Sequence, residues 1–167
     1  MRTVLHAGSG DSPLPDYLFN YAETRLDIDP QYAPDIIASI MDMGDIGPFD
    51  CVYSAHVLEH LLWHEADVAL SEFYRVLSPD GHVIVICPDT EEVKATDEVL
   101  YVSPAGPITG IDILWGFRRF VREGNVYMQH KCGFVAETLK KKIEDAGFKN
   151  AVCHRHSVYN LMAGGTK

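Results

Sequence analysis

A turn with two glycines and an acidic residue that follows it are the residues best suited to bind a ligand. The stretch "VLHAGSGD" (4–11) reads as a buried strand that runs into a turn containing Gly8 and Gly10. A plain strand-to-helix turn would also explain the glycines, but they allow a ligand to approach the backbone closely. Asp27 stands about 20 residues further on, at the end of the next predicted strand, where a carboxylate can accept both hydroxyls of a ribose. The pattern predicts a site for a nucleoside-type ligand.

The residues after the turn indicate which nucleoside suits the site. A dinucleotide needs its pyrophosphate at a helix N-terminus, with a third glycine for close packing. Here Asp11 would repel the pyrophosphate, and Pro13 and Pro15 shorten the helix. These residues disfavour an NAD-dependent oxidoreductase. A positively charged nucleoside without phosphates fits better, and S-adenosylmethionine (SAM) is such a ligand.

Two groups of histidines raise the question of a metal site. His56 and His60 stand four residues apart in "HVLEH" and would share a helical face, but no third ligand lies near them in sequence. A second group has spacings that fit no zinc finger or ribbon: His130, Cys132, Cys153, His154 and His156. We therefore predict no metal site and a structural hydrogen-bonding role for His60.

Strands and helices alternate along the chain, as expected for an α/β fold with a mostly parallel sheet. A short helix is expected near 16–21. The predicted strands are 3–7, 24–28, 35–39, 49–55 and 82–88, with two more at about 149–155 and 158–163.

Two amphipathic helices are predicted to pack on the sheet. Apolar residues recur at helical spacing in 65–77, and "SPDG" follows as a helix stop. The same design recurs in 134–147, where Gly147 is the expected cap. The lysines at 140–142 are expected to lie mostly toward solvent.

The connections on either side of the third predicted strand are short. "PQYAP" and "IMDMGDIGP" leave no room for the helix that a parallel crossover usually carries. We expect a sheet trimmed of helices there, with one face thinly covered. A second copy of the chain would close that face, so a homo-oligomer is a hypothesis.

Composition and charge restrict the class of protein and its partners. The 167 residues suffice for one domain, and no apolar stretch is long enough for a transmembrane helix. The first residues lack the apolar region of a signal peptide, and four scattered cysteines favour reduced thiols, so we expect a cytoplasmic protein. The net charge of −10 disfavours nucleic acid and anionic membranes as partners.

Five further motifs follow the glycine turn in a fixed order along nearly the whole chain. They are "LDIDP" (26–30), "DM" (42–43), "FDCVYSAHVLEHL" (49–61), "EFYRVLSPDGHVIV" (72–85) and "GFVAETLKKKIEDAGF" (133–148). Together they resemble the class I SAM-dependent methyltransferases, in the bacterial branch with a "VLEH" helix start. The resemblance implies a Rossmann-like sheet, mostly parallel with its last strand antiparallel. It also implies SAM as methyl donor and S-adenosyl-L-homocysteine (SAH) as product.

The resemblance implies which residues contact the methionine, ribose and adenine parts of SAM. Gly8, Ser9 and Gly10 would line the methionine part. Asp27 would bind the ribose hydroxyls, and Ile28 would pack on the adenine.

Further contacts would come from the next two strand ends. Asp42 would accept a hydrogen bond from the adenine amino group, and the Met43 amide would reach a ring nitrogen. Ser54 and Ala55 would lie beside the amino and carboxyl end of the methionine. His56 would follow near the methyl group, where it is a candidate general base.

The chain departs from the family at a few places. His6 stands where an acidic residue is common, which puts in doubt a contact near the amino group of SAM. Asp80 replaces a turn glycine, and aspartate tolerates turn geometry. The usual N-terminal helix is absent, which would leave the cofactor site more open.

The segment 88–131 is the least generic part of the chain. It reads as a long loop followed by a helix in 111–124, and such insertions after a strand end often form lids or substrate walls. Tyr101, Trp115 and His130 are the candidate wall residues, with His130 a second candidate base. An oligomer contact is the alternative.

A cluster of arginines stands in the same segment, at 118, 119 and 122. It either solvates a helix face or attracts an acidic acceptor.

These inferences combine into one functional hypothesis. We predict a single domain over 1–167 that transfers a methyl group from SAM to a small-molecule acceptor. The rival hypothesis is a module that binds SAM without transferring its methyl group and acts through a partner protein.

Overall fold

The structure is a computed structural model that describes residues 1–103 and 105–167. The strands in these residues are β1 (Thr3–Ala7), β2 (Ala22–Asp27), β3 (Ile36–Ile37), β4 (Phe49–Ala55), β5 (Leu77–Pro88), β6 (Val99–Ser103), β7 (Gly106–Thr109), β8 (Lys149–Ser157) and β9 (Asn160–Thr166). The α-helices are α1 (Glu65–Val76), α2 (Gly110–Trp115), α3 (Arg118–Arg122) and α4 (Ala136–Asp145).

Seven of the described strands form one sheet, in the order β3-β2-β1-β4-β5-β9-β8. Strands β3, β2, β1, β4 and β5 run parallel, whereas β9 is antiparallel to both of its neighbours. The predicted fold class is confirmed: a Rossmann-like sheet with its last strand antiparallel. From β1 the chain builds outward to β2 and β3 on one side, then to β4 and β5 on the other. Ligands of such sheets bind outside the strand ends at this switch point.

Helices α1 and α4 cover one face of the sheet. The larger hydrophobic core lies beneath them and includes Leu26, Val52, Phe73, Leu139 and Ile143, each less than 1% exposed. In the described chain no α-helix lies between β2 and β4, so the expected trimming is confirmed. The opposite face carries a smaller buried cluster, to which a 3-10 helix at Asp16–Leu18 contributes Leu18.

Strand β5 begins earlier than expected. Helix α1 ends at Val76, one residue before its predicted end, because Leu77 already pairs with Phe49. The register then shifts before Cys51 pairs with His82. The "SPDG" stretch therefore belongs to an irregular start of β5, and Asp80 adopts a φ of 65°.

The segment 88–131 differs from the expected loop and single helix. Strands β6 and β7 pair as a separate antiparallel hairpin. Helices α2 and α3 replace the predicted continuous helix, because Gly116 between them has a φ of 94° that an α-helix does not contain.

Lys142 departs from the expectation that the lysines of α4 lie mostly toward solvent. Its side chain is 6% exposed and lies between α4 and α1. The Nζ atom pairs with Asp67, donates to the carbonyl oxygen of Trp63 at 3.0 Å, and lies 4.2 Å from the centre of the Trp63 ring. The lysine thus cross-links the two helices that cover the core.

The turn after β1 is packed against the residues that follow β4. Gly8 has a φ of 73°, and a Cβ atom at this position would lie 2.4 Å from Cγ2 of Val57. Gly10 has a φ of 48°, but a Cβ there would meet no atom within 4 Å. Gly8 is therefore required for packing, whereas Gly10 faces open space.

We expect Lys142→Ala to lower the free energy of unfolding by about 2 kcal/mol, because charge-assisted hydrogen bonds are lost from a buried site. Lys141→Ala is the matched control, since its ion pair with Asp145 is exposed and contributes little. Urea unfolding of both variants gives the comparison. Equal effects would contradict the cross-link.

We expect Gly8→Ala to destabilise the fold by about 2–4 kcal/mol, combining left-handed backbone strain with overpacking against Val57. Gly10→Ala should cost only the strain, about 1–2 kcal/mol. In a Val57→Ala background only the contact with the Cβ atom of residue 57 remains, at 3.2 Å, so the costs of the two substitutions should then become similar. Denaturant unfolding tests this cycle, and a difference that persists without Val57 would rule out the packing explanation.

Candidate active site

The carboxylate of Asp27 fixes the glycine turn to the end of β2. Its Oδ2 accepts the amide of Gly10 at 2.7 Å, and its Oδ1 accepts the amide of Asp29 at 2.9 Å. The amides of Gly8 and Ser9 both donate to the carbonyl oxygen of Leu26, at 2.8 and 3.1 Å. Because β1 and β2 run parallel, their ends meet at one edge of the sheet. The predicted pairing of the turn with Asp27 in one site is therefore seen in the structure.

Arg25 is a second brace of the turn, which the sequence analysis missed. Its guanidinium donates to the carbonyl oxygen of Gly10. Arg25 lies in β2 level with His6 of β1, so its long side chain reaches the turn from the neighbouring strand. The only sign of this role in the sequence is the position of a basic residue two places before Asp27.

Two serine hydroxyls near the turn have no partner in the described residues. Ser9 and Ser54 are each 1% exposed, and neither Oγ atom makes a hydrogen bond. Ser54 belongs to the end of β4, whose Tyr53 is level with His6 of β1. Buried hydroxyls are usually paired with a hydrogen-bond partner. Because these two lack one, both are free to contact a polar group of a ligand. The next residue, Ala55, is half-buried.

The predicted adenine contacts lie after β2 and β3. Ile28 directly follows Asp27 and is 49% exposed, which leaves an apolar surface available. Asp42 is exposed. Met43 is buried, and its amide donates to Oε2 of Glu72 at 3.0 Å, so the predicted contact with a ring nitrogen would have to replace this bond.

His6 is buried beside an acidic residue of the neighbouring strand. It is 1% exposed, and its Nδ1 lies 2.8 Å from Oε1 of Glu23. Alternation along β1 puts His6 on the same face as Val4, which belongs to the smaller core cluster. Burial lowers the pKa of His6 despite the contact with Glu23. The departure from the family pattern is thus accommodated by a neighbouring acid on β2.

His56 and Glu59 follow β4 and form a close pair. His56 has a φ of 56° and is half-exposed, and its Nδ1 lies 3.3 Å from Oε1 of Glu59. Burial opposes charge on the imidazole, but the Glu59 carboxylate outweighs it and raises the pKa of His56. Burial likewise opposes charge on Glu59, yet His56 and the other nearby imidazoles lower its pKa to about 2. Glu59 belongs to the "HVLEH" motif, but its spacing in the sequence predicted no function for it.

The insertion brings His130 beside this pair. The rings of His130 and His60 lie 4.9 Å apart, and the amides of Lys131 and Cys132 donate to the carbonyl oxygen of Glu59. His60 makes the predicted structural hydrogen bond, with Nδ1 3.2 Å from the carbonyl oxygen of Gln129.

Of the other two proposed wall residues, Trp115 lies beside His130, whose amide donates to the Trp115 carbonyl oxygen at 3.2 Å, and the Trp115 side chain is 53% exposed. Tyr101 instead stacks on Tyr159, with ring centres 6.0 Å apart.

The structure also bears on the predicted state of the cysteines and on membrane-spanning helices. All four cysteines are free, and Cys51 and Cys87 are buried, as expected for reduced thiols. None of the helices in the described residues has the length and apolar character needed to cross a bilayer.

Comparisons with known proteins agree with this geometry. A family described as "Methyltransferase domain" matches residues 5–85. No curated protein sequence matches the chain.

Solved structures share the fold at low sequence identity. PigF, in a structure with SAH, is 16% identical with a TM-score of 0.67 over 99% of this chain and 50% of its own. Human N-acetylserotonin methyltransferase, in complex with SAM, is 14% identical with a TM-score of 0.64 over 99% of this chain and 47% of its own. The N-methyltransferase NodS from Bradyrhizobium japonicum, in complex with SAH, is 16% identical with a TM-score of 0.62 over 99% of this chain and 78% of its own.

The chain spans about half the length of the first two of these proteins. The likeness nevertheless covers the whole sheet, including the edge with the glycine turn and Asp27. Residues 5–85 thus match a methyltransferase domain in sequence, and the chain as a whole has the fold of class I SAM-dependent methyltransferases.

Proposed function

We propose that this protein transfers a methyl group from SAM to a small-molecule acceptor and releases SAH. The observation that carries the proposal is the Asp27 carboxylate, which is held by two backbone amides at the strand edge where such sheets bind ligands. A carboxylate offers about four lone-pair positions, so two remain for the ribose hydroxyls. The positive charge of SAM also suits an edge where Asp27, Asp29 and Asp42 are the nearby acids.

The residues around Asp27 fit the rest of the ligand. The unpaired hydroxyls of Ser9 and Ser54 offer partners for the amino and carboxyl groups of the methionine. The open space above Gly10 admits the ligand, and the exposed part of Ile28 offers a surface for the adenine. Gly8, Ala55, Asp42 and Met43 complete the proposed contacts.

When bound, SAM supplies an activated methyl group on a positively charged sulfur. The acceptor atom forms a new bond to the methyl carbon as the carbon–sulfur bond breaks, and the electron pair of that bond remains on sulfur. The protein contributes alignment, with the acceptor held about 3 Å from the methyl group. His56 accepts the proton that an oxygen or nitrogen acceptor loses, with its ring oriented by Glu59, and His130 is the second candidate.

The acceptor and the compartment belong to the same proposal. One similar structure contains bound 1,6-didemethyltoxoflavin, and another is named for N-acetylserotonin, both small molecules. We propose an acceptor of this size, walled by the insertion at 88–131. The free cysteines support a cytoplasmic location.

We expect Asp27→Asn to weaken SAM binding by about 10- to 100-fold, since a charge-assisted hydrogen bond contributes about 1.5–3 kcal/mol. Asparagine retains one acceptor oxygen for the turn, so the fold should persist. Isothermal titration calorimetry with SAM and with SAH measures the change. Asp16→Ala, which removes an exposed carboxylate, is the control and should bind both ligands like the unmodified protein.

Unchanged SAM affinity in Asp27→Asn, with circular dichroism confirming the fold, would exclude the proposed ribose contact. Tight binding of NADH instead of SAM would refute the proposed function altogether.

We expect His56→Gln to lower methyl transfer by about 10²- to 10⁴-fold, the usual contribution of a general base. The assay follows the labelled methyl group of SAM into fractionated small-molecule extracts. SAM affinity should stay constant, because His56 is assigned to the acceptor proton and not to the donor. His64→Gln, an exposed histidine before α1, is the control. If both variants retained full transfer, His56 would have no such role.

A further inference from the structure

We propose that Glu59, His60 and His130 bind a divalent transition-metal ion, with Zn²⁺ the best match to their chemistry. One ligand atom from each residue lies within 4.8 Å of the other two. Glu59 and His60 come from the turn after β4, and His130 comes from the return of the insertion. Three observations support the site: the state of the carboxylate, the state of the imidazoles, and the ligand set.

The Glu59 carboxylate is buried without a hydrogen-bond partner. It is 1% exposed, and neither Oε1 nor Oε2 accepts a hydrogen bond from any described residue. His56 Nδ1 lies within ion-pair distance of Oε1, at 3.3 Å, but the contact lacks hydrogen-bond geometry. A buried carboxylate with both oxygens free is rare, because desolvation of the charge is costly unless a cation or several donors compensate it.

Both imidazoles present a nitrogen lone pair. Nδ1 of His60 faces the carbonyl oxygen of Gln129 at 3.2 Å, and Nδ1 of His130 faces the carbonyl oxygen of Ile113 at 2.8 Å. A carbonyl oxygen can only accept, so each Nδ1 carries the proton and each Nε2 of a neutral ring is left unprotonated. Metal-binding histidines commonly donate their other ring nitrogen to a backbone carbonyl in this way.

Two imidazoles and one carboxylate form a ligand set that binds Zn²⁺ in enzymes and leaves a fourth position open. Ligand atoms around a tetrahedral Zn²⁺ lie about 3.4 Å apart, which follows from bond lengths of about 2.0–2.1 Å. The three atoms here therefore need to move together by about 1 Å. Cys132 does not belong to this ligand set, because it donates its thiol to the carbonyl oxygen of Leu58.

The place of the site suggests its use. It directly follows β4, at the same edge of the sheet as Asp27 and next to His56. An open metal position there would hold an oxygen or nitrogen atom of the acceptor and make its proton more acidic. This use rests on the proposed function, whereas metal binding itself does not.

Calorimetric titration of chelator-treated protein with ZnCl₂ tests the site. We expect one Zn²⁺ per chain. Glu59→Gln, His60→Gln and His130→Gln should each weaken binding by at least about 100-fold, because loss of even an outer-shell partner costs 10- to 100-fold. His154→Gln, an exposed histidine on β8, is the matched control and should bind like the unmodified protein.

A second readout covers variants that fold poorly. Co²⁺ in place of Zn²⁺ should give the visible absorption of a tetrahedral nitrogen and oxygen site, and this spectrum should vanish in His130→Gln, whose ring is only half-buried. The proposal fails if the unmodified protein binds no Zn²⁺. It fails equally if folded Glu59→Gln and His130→Gln both retain the original affinity.

The failure of this proposal is separable from failure of the methyltransferase proposal. Asp27→Asn should lose SAM affinity and keep Zn²⁺ affinity, so either ligand can be absent while the other binds. A separate assay tests the role of the metal in methyl transfer. Metal-free protein should bind SAM normally but transfer less of the labelled methyl group to the acceptor than protein reloaded with Zn²⁺. Equal incorporation would overturn that use while leaving the metal site in place.

Discussion

The hydrogen bonds that the Asp27 carboxylate accepts from Gly10 and Asp29 are the constraint on which the candidate site depends. A turn with glycines at positive φ has no regular ladder to satisfy its amides, so a fixed acceptor must do so. Asp27 supplies that acceptor from the neighbouring parallel strand and thereby joins the ends of β1 and β2. Under the proposed function, the same oxygens would also accept the ribose hydroxyls, so that one side chain would both shape the turn and bind the ligand.

A second carboxylate, Glu59, follows β4 on the other side of β1 and is held very differently. Asp27 is stabilised by backbone donors, whereas Glu59 is surrounded by imidazoles and has no donor of its own. Its low pKa means that it carries a full negative charge inside the protein. The two carboxylates follow β2 and β4, on either side of β1 at the switch point of the sheet. A cationic cosubstrate on one side and a metal ion on the other would balance them.

Much of this arrangement could be predicted from the sequence because it depends on local patterns. Strands β1 and β4 have the predicted bounds because each is a short, almost continuous run of buried residues. Helix α1 ends only one residue early, because its buried residues recur at the helical period. The hairpin of β6 and β7 was missed because its strands are only partly buried and lack a clear alternation. Lys142 was misplaced because its burial depends on Asp67 of another helix.

Part of the candidate site could also be predicted from the sequence, because it too depends on local patterns. Gly8, Gly10 and Asp27 stand out because turn and strand-end positions can be read from the chain itself. The neighbourhood of Glu59 and His130 could not be read in this way. It forms only when the insertion folds back onto the turn after β4, and no spacing rule relates residues so far apart.

The insertion is attached to the domain at several points, and one of them fixes His130, since the amides of Lys131 and Cys132 both donate to the carbonyl oxygen of Glu59. This has a consequence for how such a protein can diversify in evolution. The hairpin of β6 and β7 is distant in sequence from that attachment, so under the proposed function its exposed side chains could change to suit new acceptors. The stretch from Gln129 to Cys132 has no such freedom, because any shift in it displaces His130 and the backbone of Glu59 together.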